Sequence, residues 1–521
     1  MTANTARATT DCLPVTPMPG YFQNDCMEES LVRQMNRKVL KLALPSILAN
    51  ITVPLVGMVD VGVSGHIGDA VAIGGMAIST MLFDLLYWNM GFLRVGTGGM
   101  IAQALGRRDF SGIMKVFTQG IGTAWGIAFI IFAIQYLYID IALGFIQCSP
   151  EVADYARQYY FIRIWAAPAT LSLFVFKGFF IGMQNAISPM AADITVNVAN
   201  LGLSLLFAVK MGMGFKGIAW AVFTAQYTGL FLCIALFLIY YRRLLKYADL
   251  RKSLRLKDLG KFFSLNGNLF VRSVCFLFIY VGFTSLSAKY GDVQLAVGTI
   301  IMKLMMLFSF FIDGFAYAGE ALAGRYIGAR DSEGLHLSVK VIFRWCFWIA
   351  LASTAVYVAG GKQMVMLMTD KADVIEASVP YLVWLWLMPA LSTSAFVWDG
   401  IYVGATAARP IMFGMICAAA SFFAAYYALE QILGIQALYV AYMVHVVVRS
   451  VWMYAFRRTA VYARVVQDAK RCEMCPSGAG NGTAGHSCGD RSELVSLNCS
   501  LARYVLARYA YSYDYGRKLD I

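Results

Sequence analysis

The chain has 521 residues, 59% of them hydrophobic and only 14% charged, whereas soluble domains carry about 25% charge and a roughly even apolar share; an ordinary water-soluble domain is excluded. The net charge of +13 would suit nucleic acid, but the charges collect between apolar runs instead of forming one basic surface, which excludes that partner. Of the eleven cysteines, Cys233, Cys275, Cys346 and Cys417 stand singly inside apolar runs, so no disulfide framework is read there.

A bilayer core of about 30 Å needs about 20 apolar residues per helix, and such runs recur from Lys41 to Arg457. Residues 1–36 carry Asp25, Glu28, Glu29 and Arg33 and lack a cleavable apolar core, so they read as a cytoplasmic segment and not as a signal peptide. Six spans follow at 40–63, 71–104, 114–138, 156–178, 187–209 and 216–240. After a basic linker at 242–261, six more follow at 262–287, 293–327, 337–358, 378–402, 410–432 and 436–456. The second and eighth exceed a straight crossing and contain Gly91, Gly96, Gly98 and Gly99, or Gly314 and Gly319, which predicts bent or kinked helices.

Short-loop Lys and Arg set the orientation. Arg37 and Lys38, Arg107 and Arg108, the linker's Arg242 to Lys261, Arg325 and Arg330, and Arg457 and Arg458 all fall on one side, opposite loops bearing Asp140, Glu151, Asp154, Asp370 and Asp373. Both termini are therefore expected in the cytoplasm. The tail at 461–521 holds Cys472, Cys475, His486, Cys488 and Cys499 in a Gly/Ser-rich setting; the spacings fit no standard zinc site, and a solvated, largely disordered tail is expected. The sequons at Asn481 and Asn498 would not meet the glycosylation machinery from that side.

The two halves repeat at an offset of about 222 residues: Leu105-Gly106-Arg107-Arg108-Asp109 returns as Ile327-Gly328-Ala329-Arg330-Asp331, and Trp165, Pro168, Gly178 and Gly182 return as Trp386, Pro389, Gly400 and Gly404. An even number of spans per half inserts both halves the same way round. The fold expected is all-α: twelve transmembrane helices in two six-helix lobes, 37–241 and 262–460, related by a pseudo-twofold along the membrane normal, with a cleft between them.

A carboxylate near the bilayer centre costs about 2.5 to 3.5 kcal/mol on insertion scales, so each one is a functional candidate. Asp60, late in span 1, reads as a protonatable or cation-binding group or, alternatively, as a hydrated residue near the surface. Asn197, Asn200 and Ser204 in span 5 form an i, i+3, i+7 row that suits a cation or a proton network with Asp60, or plain helix contacts. Asp193 reads as interfacial or capping. In the second half Asp313 and Glu320, i and i+7 in span 8, with Asp399 in span 10, read as an acidic wall for cationic substrates, or as partners of Arg272, Lys303 or Arg325. Arg94 and Asp84 read as a pair with each other or with groups at a span end. The four histidines, His66, His336, His445 and His486, are scattered, so no metal cluster is read. Met302, Met305, Met306, Trp384 and Trp386 suit a pliable cleft lining or simple packing.

Ala43-Leu44-Pro45, Val59-Asp60 with Gly65-His66-Ile67-Gly68, the block from Tyr87 to Thr97 around Gly91-Phe92-Leu93-Arg94, Ala102-Gln103-Ala104-Leu105-Gly106-Arg107-Arg108, Asp313-Gly314-Phe315 with Glu320, and Asp399-Gly400-Ile401 together resemble the multidrug and toxic compound extrusion family, and its DinF-like branch in particular. The resemblance runs from about residue 37 to 460. It implies a secondary antiporter of the inner membrane that exports amphipathic, often cationic small molecules in exchange for H⁺ or Na⁺, working as a monomer without a cofactor. It further implies that Asp60 is the coupling residue, with Asn200 beside it. Ser204 stands where the family often has Asp and Val222 where Thr is common, which turns the expectation from Na⁺ toward H⁺; the start of span 7 also departs, with Asn266-Gly267-Asn268 where an Arg-Asp pair is usual. A flippase for lipids or lipid-linked sugars is the alternative transporter, and a membrane transferase is the weaker one, since no cluster of catalytic residues stands at a membrane face.

Overall fold

The computed structural model describes residues 20–67, 70–146, 148–249 and 256–465. Among them are twelve helical spans and no strand. They are α1 (Gly20–Ile67), α2 (Ala70–Met90 continued by Phe92–Gly106), α3 (Phe110–Phe145), α4 (Pro150–Gly182), α5 (Ile187–Lys210) and α6 (Gly214–Tyr247). The second set is α7 (Leu256–Ala288), α8 (Asp292–Ala329), α9 (Ser332–Met368), α10 (Ala372–Gly404), α11 (Ala408–Leu433) and α12 (Gln436–Val465). All but α1 are long and apolar enough, over their described residues, to cross a bilayer. Large apolar side chains such as Phe129, Phe145, Leu367 and Ile432 stand exposed on the outer faces, where lipid tails and not water are the compatible solvent.

α1–α6 and α7–α12 form two lobes. In the first, α4 packs on α2 and α3, and α5 on α1 and α6; in the second, α10 packs on α8, α9 and α12, and α11 on α7 and α12. The lobes meet where α1 and α2 lie against α8, and α2 against α7. The predicted repeat is written into the backbone. Among the described residues, the four non-glycine ones with positive φ form two pairs, Arg108 with Arg330 and Gln184 with Thr406, whose members are each 222 apart. Arg108 (φ 57°) and Arg330 (φ 61°) close α2 and α8 in the left-handed conformation that ends helices. The next residues, Asp109 and Asp331, cap the following helices, accepting hydrogen bonds from Gly112 N at 2.8 Å and Gly334 N at 2.7 Å. Asp331→Ala is expected to cost about 1 kcal/mol, read as a lower thermal midpoint of the purified protein in detergent; an unchanged midpoint would show the cap to be redundant.

The two long helices, expected bent or kinked, differ in continuity. α2 breaks at Gly91, where the ladder tightens to an Arg94 N to Gly91 O bond of 3.1 Å. α8 carries no break; its glycines serve close approach instead. A Cβ on Gly314 would strike Ala43 O and the Ile47 side chain of α1, so Gly314 brings the two helices together. Toward the basic end the same device recurs: a Cβ on Gly106 would meet the Arg325 carbonyl and Ala329 N, and one on Gly328 the Gln103 carbonyl. There α2 and α8 lie backbone against backbone, and Gln103 Nε2 donates across the lobes to Gly404 O at 3.0 Å.

The aromatics and methionines offered as a cleft lining mostly pack elsewhere. Trp384 donates to Gln436 Oε1 (2.7 Å) and Trp386 to the Tyr357 carbonyl (3.0 Å), satisfying their indole N–H groups inside the second lobe. Met302 and Met305 are buried in the core, and of this group Met306 alone faces the cavity described next.

Candidate functional site in the inter-lobe cavity

The break at Gly91 turns Trp88, Phe92 and Arg94 of α2 toward the second lobe. There they meet residues of α7, α8, α10, α11 and α12 around a cavity of ≈ 300 Å³. Its floor is charged. Arg94 pairs with Glu320 of α8 at 3.5 Å and lies over the Tyr317 ring, 4.1 Å from its centroid. Arg272 of α7 and Arg449 of α12 both reach one oxygen of Asp399 on α10, at 2.9 and 3.2 Å. Asp313 lines the same cavity and makes no ion pair or hydrogen bond among the described residues. Glu320 is only 2% exposed, and Glu320 Oε1 and Asp399 Oδ1 are buried acceptors with no partner among the described residues. Such atoms cost free energy unless a donor or a proton meets them.

The geometry gathers Asp313, Glu320 and Asp399 at one cavity but interleaves them with three arginines, so the wall is not simply acidic. Arg272 is the partner of Asp399; Arg325 instead donates to Gln184 at the end of α4. Arg94 joins Glu320 across the lobes and not Asp84, because the break before it points the guanidinium into the cavity. Arg449 went unremarked in the sequence. The rule applied to carboxylates, that a charge inside an apolar span is costly and therefore meaningful, would have found it within span 12.

In the first lobe the Asp60 position lies on α1, but its side chain is outside the described residues. The span-5 row is described. Asn197 Nδ2 donates to Thr52 Oγ1 of α1 at 2.7 Å, Asn200 is buried, and Ser204 is fully buried with a hydroxyl that has no partner among the described residues. The row therefore faces α1. Asp193, one turn before Asn197, is not a cap: it forms an ion pair with Lys177 of α4 within the lobe. No group of three or more His, Cys, Asp or Glu able to hold a metal occurs among the described residues.

A second cavity, ≈ 680 Å³, opens at the basic end between α2 and α3 on one side and α7, α11 and α12 on the other, with Arg107, Lys115, Arg409 and Arg464 in its walls. Arg464 donates to Ala405 O at 2.5 Å, tying the end of α12 to the α10–α11 turn.

The chain's relatives share this plan. The MatE family model matches it twice, over residues 45–206 and 269–426, once in each lobe. DNA damage-inducible protein F of Escherichia coli is 30% identical over 437 residues, 83% of this chain and 94% of that protein. Protein DETOXIFICATION 44, chloroplastic, of Arabidopsis thaliana is 22% identical over 72% of this chain and 73% of its own length. Among solved structures, MATE in the bent conformation superposes with a TM-score of 0.75 at 19% identity, over 84% of this chain and 98% of that one. An outward-facing MATE family transporter superposes with a TM-score of 0.72 at 20% identity, over the same shares. Two matched halves and a relative aligned over nearly its whole length leave one conclusion: the chain belongs to the multidrug and toxic compound extrusion (MATE) family, and is a multi-pass membrane transporter and not an enzyme.

Proposed function

We propose that the chain is a secondary antiporter of the inner membrane that exports amphipathic, cation-bearing compounds through the inter-lobe cavity in exchange for protons, with both termini and the 242–261 linker in the cytoplasm. The observation that carries this is Asp313: a half-buried carboxylate without an ion pair among the described residues, midway along α8 and between the lobes, where a charge balanced only at longer range is costly. A bound cation offsets that cost, and relative motion of the lobes moves the cavity's opening from one membrane face to the other. Toward the basic end α2 is held close on α8, beside the second cavity, so their separation there is one of the movements that opening on that face requires.

Proton exchange is assigned to the first lobe. α1 and α5 are both odd-numbered spans and run in the same direction, and Thr52 pairs with Asn197. Counting from that bond at about 1.5 Å per residue, the backbone of Asp60 comes level with Leu205, next to Ser204. An acid on α1 at that level, next to a row with few oxygen ligands, suits a proton better than a hard cation that needs about six or more oxygens. Asp60→Asn is expected to reduce gradient-driven dye efflux from energised vesicles by about tenfold or more, the scale of a lost coupling free energy. Full efflux by the variant would refute the assignment of Asp60. Liposomes given a pH gradient or a Na⁺ gradient alone separate the two ions, and a flippase would run with neither.

A further inference from the structure

The charges of the cavity are unevenly shared, and we infer that its ligands are zwitterions whose anionic group is held by Arg272 and Arg449 while the cationic group faces Asp313. The inference rests on the transport reading above and names the substrate class that the same cavity selects.

Among the described residues, three arginines and three carboxylates line the cavity, so the set is neutral in sum, yet it does not close into three pairs. Arg94 and Glu320 account for each other. Arg272 and Arg449 share the single carboxylate of Asp399, both on its Oδ2, and neither has a second carboxylate within ion-pair distance among the described residues. One positive charge is left over on that side. Asp313 is in no ion pair among the described residues and is balanced only at longer range, by the charges of Arg94, Arg272 and Arg449. Arg449 is 4% exposed, its Nε has no partner among the described residues, and its guanidinium lies 5.4 Å from the centroid of Phe396, which offers a ring face and not an anion. A charge that leaves water and is balanced only at longer range keeps part of the desolvation cost that a close ion pair offsets. A simple cation would satisfy Asp313 and worsen the surplus at Arg272 and Arg449; a simple anion would do the reverse. A ligand with both charges offsets both costs at once. Guanidinium pairs also fix a planar carboxylate or a phosphate through two parallel N–H donors, which an ammonium cannot do. Trp88, Phe276, Phe310 and Tyr442 supply apolar wall for the body between the two charges.

The test uses two dyes with one fluorophore: rhodamine B, zwitterionic through its free carboxylate, and its ethyl ester, a plain cation. Binding to the purified full chain in detergent is read by fluorescence anisotropy. The free acid is expected to bind about tenfold more tightly than the ester, the strength of one charge-assisted contact. Arg272→Gln leaves Asp399 paired with Arg449, so the cluster keeps an ion pair; it should weaken the acid about tenfold more than the ester, and Arg272→Lys should restore part of the difference. Equal binding of the two dyes, tighter binding of the ester, no binding of either, or equal weakening of both by Arg272→Gln would each overturn the inference. Liposome transport separates it from the reading it rests on. Preferential binding of the acid without gradient-driven movement of either dye would sink the antiport assignment and leave the ligand class standing. Gradient-driven movement of the ester alone would do the opposite.

Discussion

Arg94→Met is expected to destabilise the protein by about 3–5 kcal/mol, because it removes one half of a buried ion pair and leaves Glu320 charged without a partner. Glu320 is 2% exposed, one of its oxygens already lacks a donor among the described residues, and the guanidinium that balances the other also covers Tyr317. The aromatic contact adds a second, smaller loss of about 0.5–2 kcal/mol. The measurement is the thermal midpoint and recovery of the detergent-purified variant beside Arg94→Met/Glu320→Gln. The double variant carries no buried charge at this place and should regain most of the loss, since replacing both members of a buried pair is often close to neutral. If the second substitution adds to the damage of the first, the two side chains do not depend on each other and the pair is not what holds them. The same comparison matters for transport, for this is an ion pair that joins the lobes inside the cavity.

Gly106→Val is the second large effect expected. A side chain there has no flexible neighbour to displace: it meets the Arg325 carbonyl and, at 2.8 Å, the backbone N of Ala329. Overpacking of this kind costs about 1–3 kcal/mol, and the cheapest relief is for α2 to lift away from α8 at the basic end. The population should shift toward conformations open on that face. Ala102→Cys, fully buried against Gly324 in the present conformation, provides the reporter. Its labelling by a membrane-impermeant maleimide from the basic face should rise about tenfold or more when Gly106→Val is added, and gradient-driven efflux should fall by a similar factor. Unchanged labelling would mean that the helices relieve the clash within each lobe and that the glycine contact does not govern opening.

Much of the architecture was open to reading from the chain alone, and for physical reasons. A bilayer fixes span length, so twelve apolar runs predicted twelve helical spans, and the 222-residue repeat of Leu-Gly-Arg-Arg-Asp returned as paired left-handed residues and paired Asp caps. Asp313 and Glu320 were placed on one face by helical spacing, and both line the cavity. Pairings across lobes were not legible. Arg94 and Glu320 are 226 residues apart in the sequence, and no local period links them. Helix ends were also read too tightly, because α4 begins at Pro150 and α9 runs to Met368, past the apolar core of each span, where caps and not hydropathy decide the boundary. Asp193 does not cap α5, which begins at Ile187; it lies inside the helix and pairs with Lys177 of another one.

The bare glycine contact between α2 and α8 bears on how fast the transporter can switch. Interlocked side chains must leave their wells one by one before two helices slide, and each departure adds to the barrier. Where backbone rests on backbone there are no such teeth to disengage. What resists separation of these two helices then includes the polar links Gln103 to Gly404, Arg325 to Gln184 and Arg94 to Glu320, while Asn50 to the Phe310 carbonyl and Asn36 to Arg344 and Trp345 tie α1 to the second lobe; water can take over each of them as the gap opens.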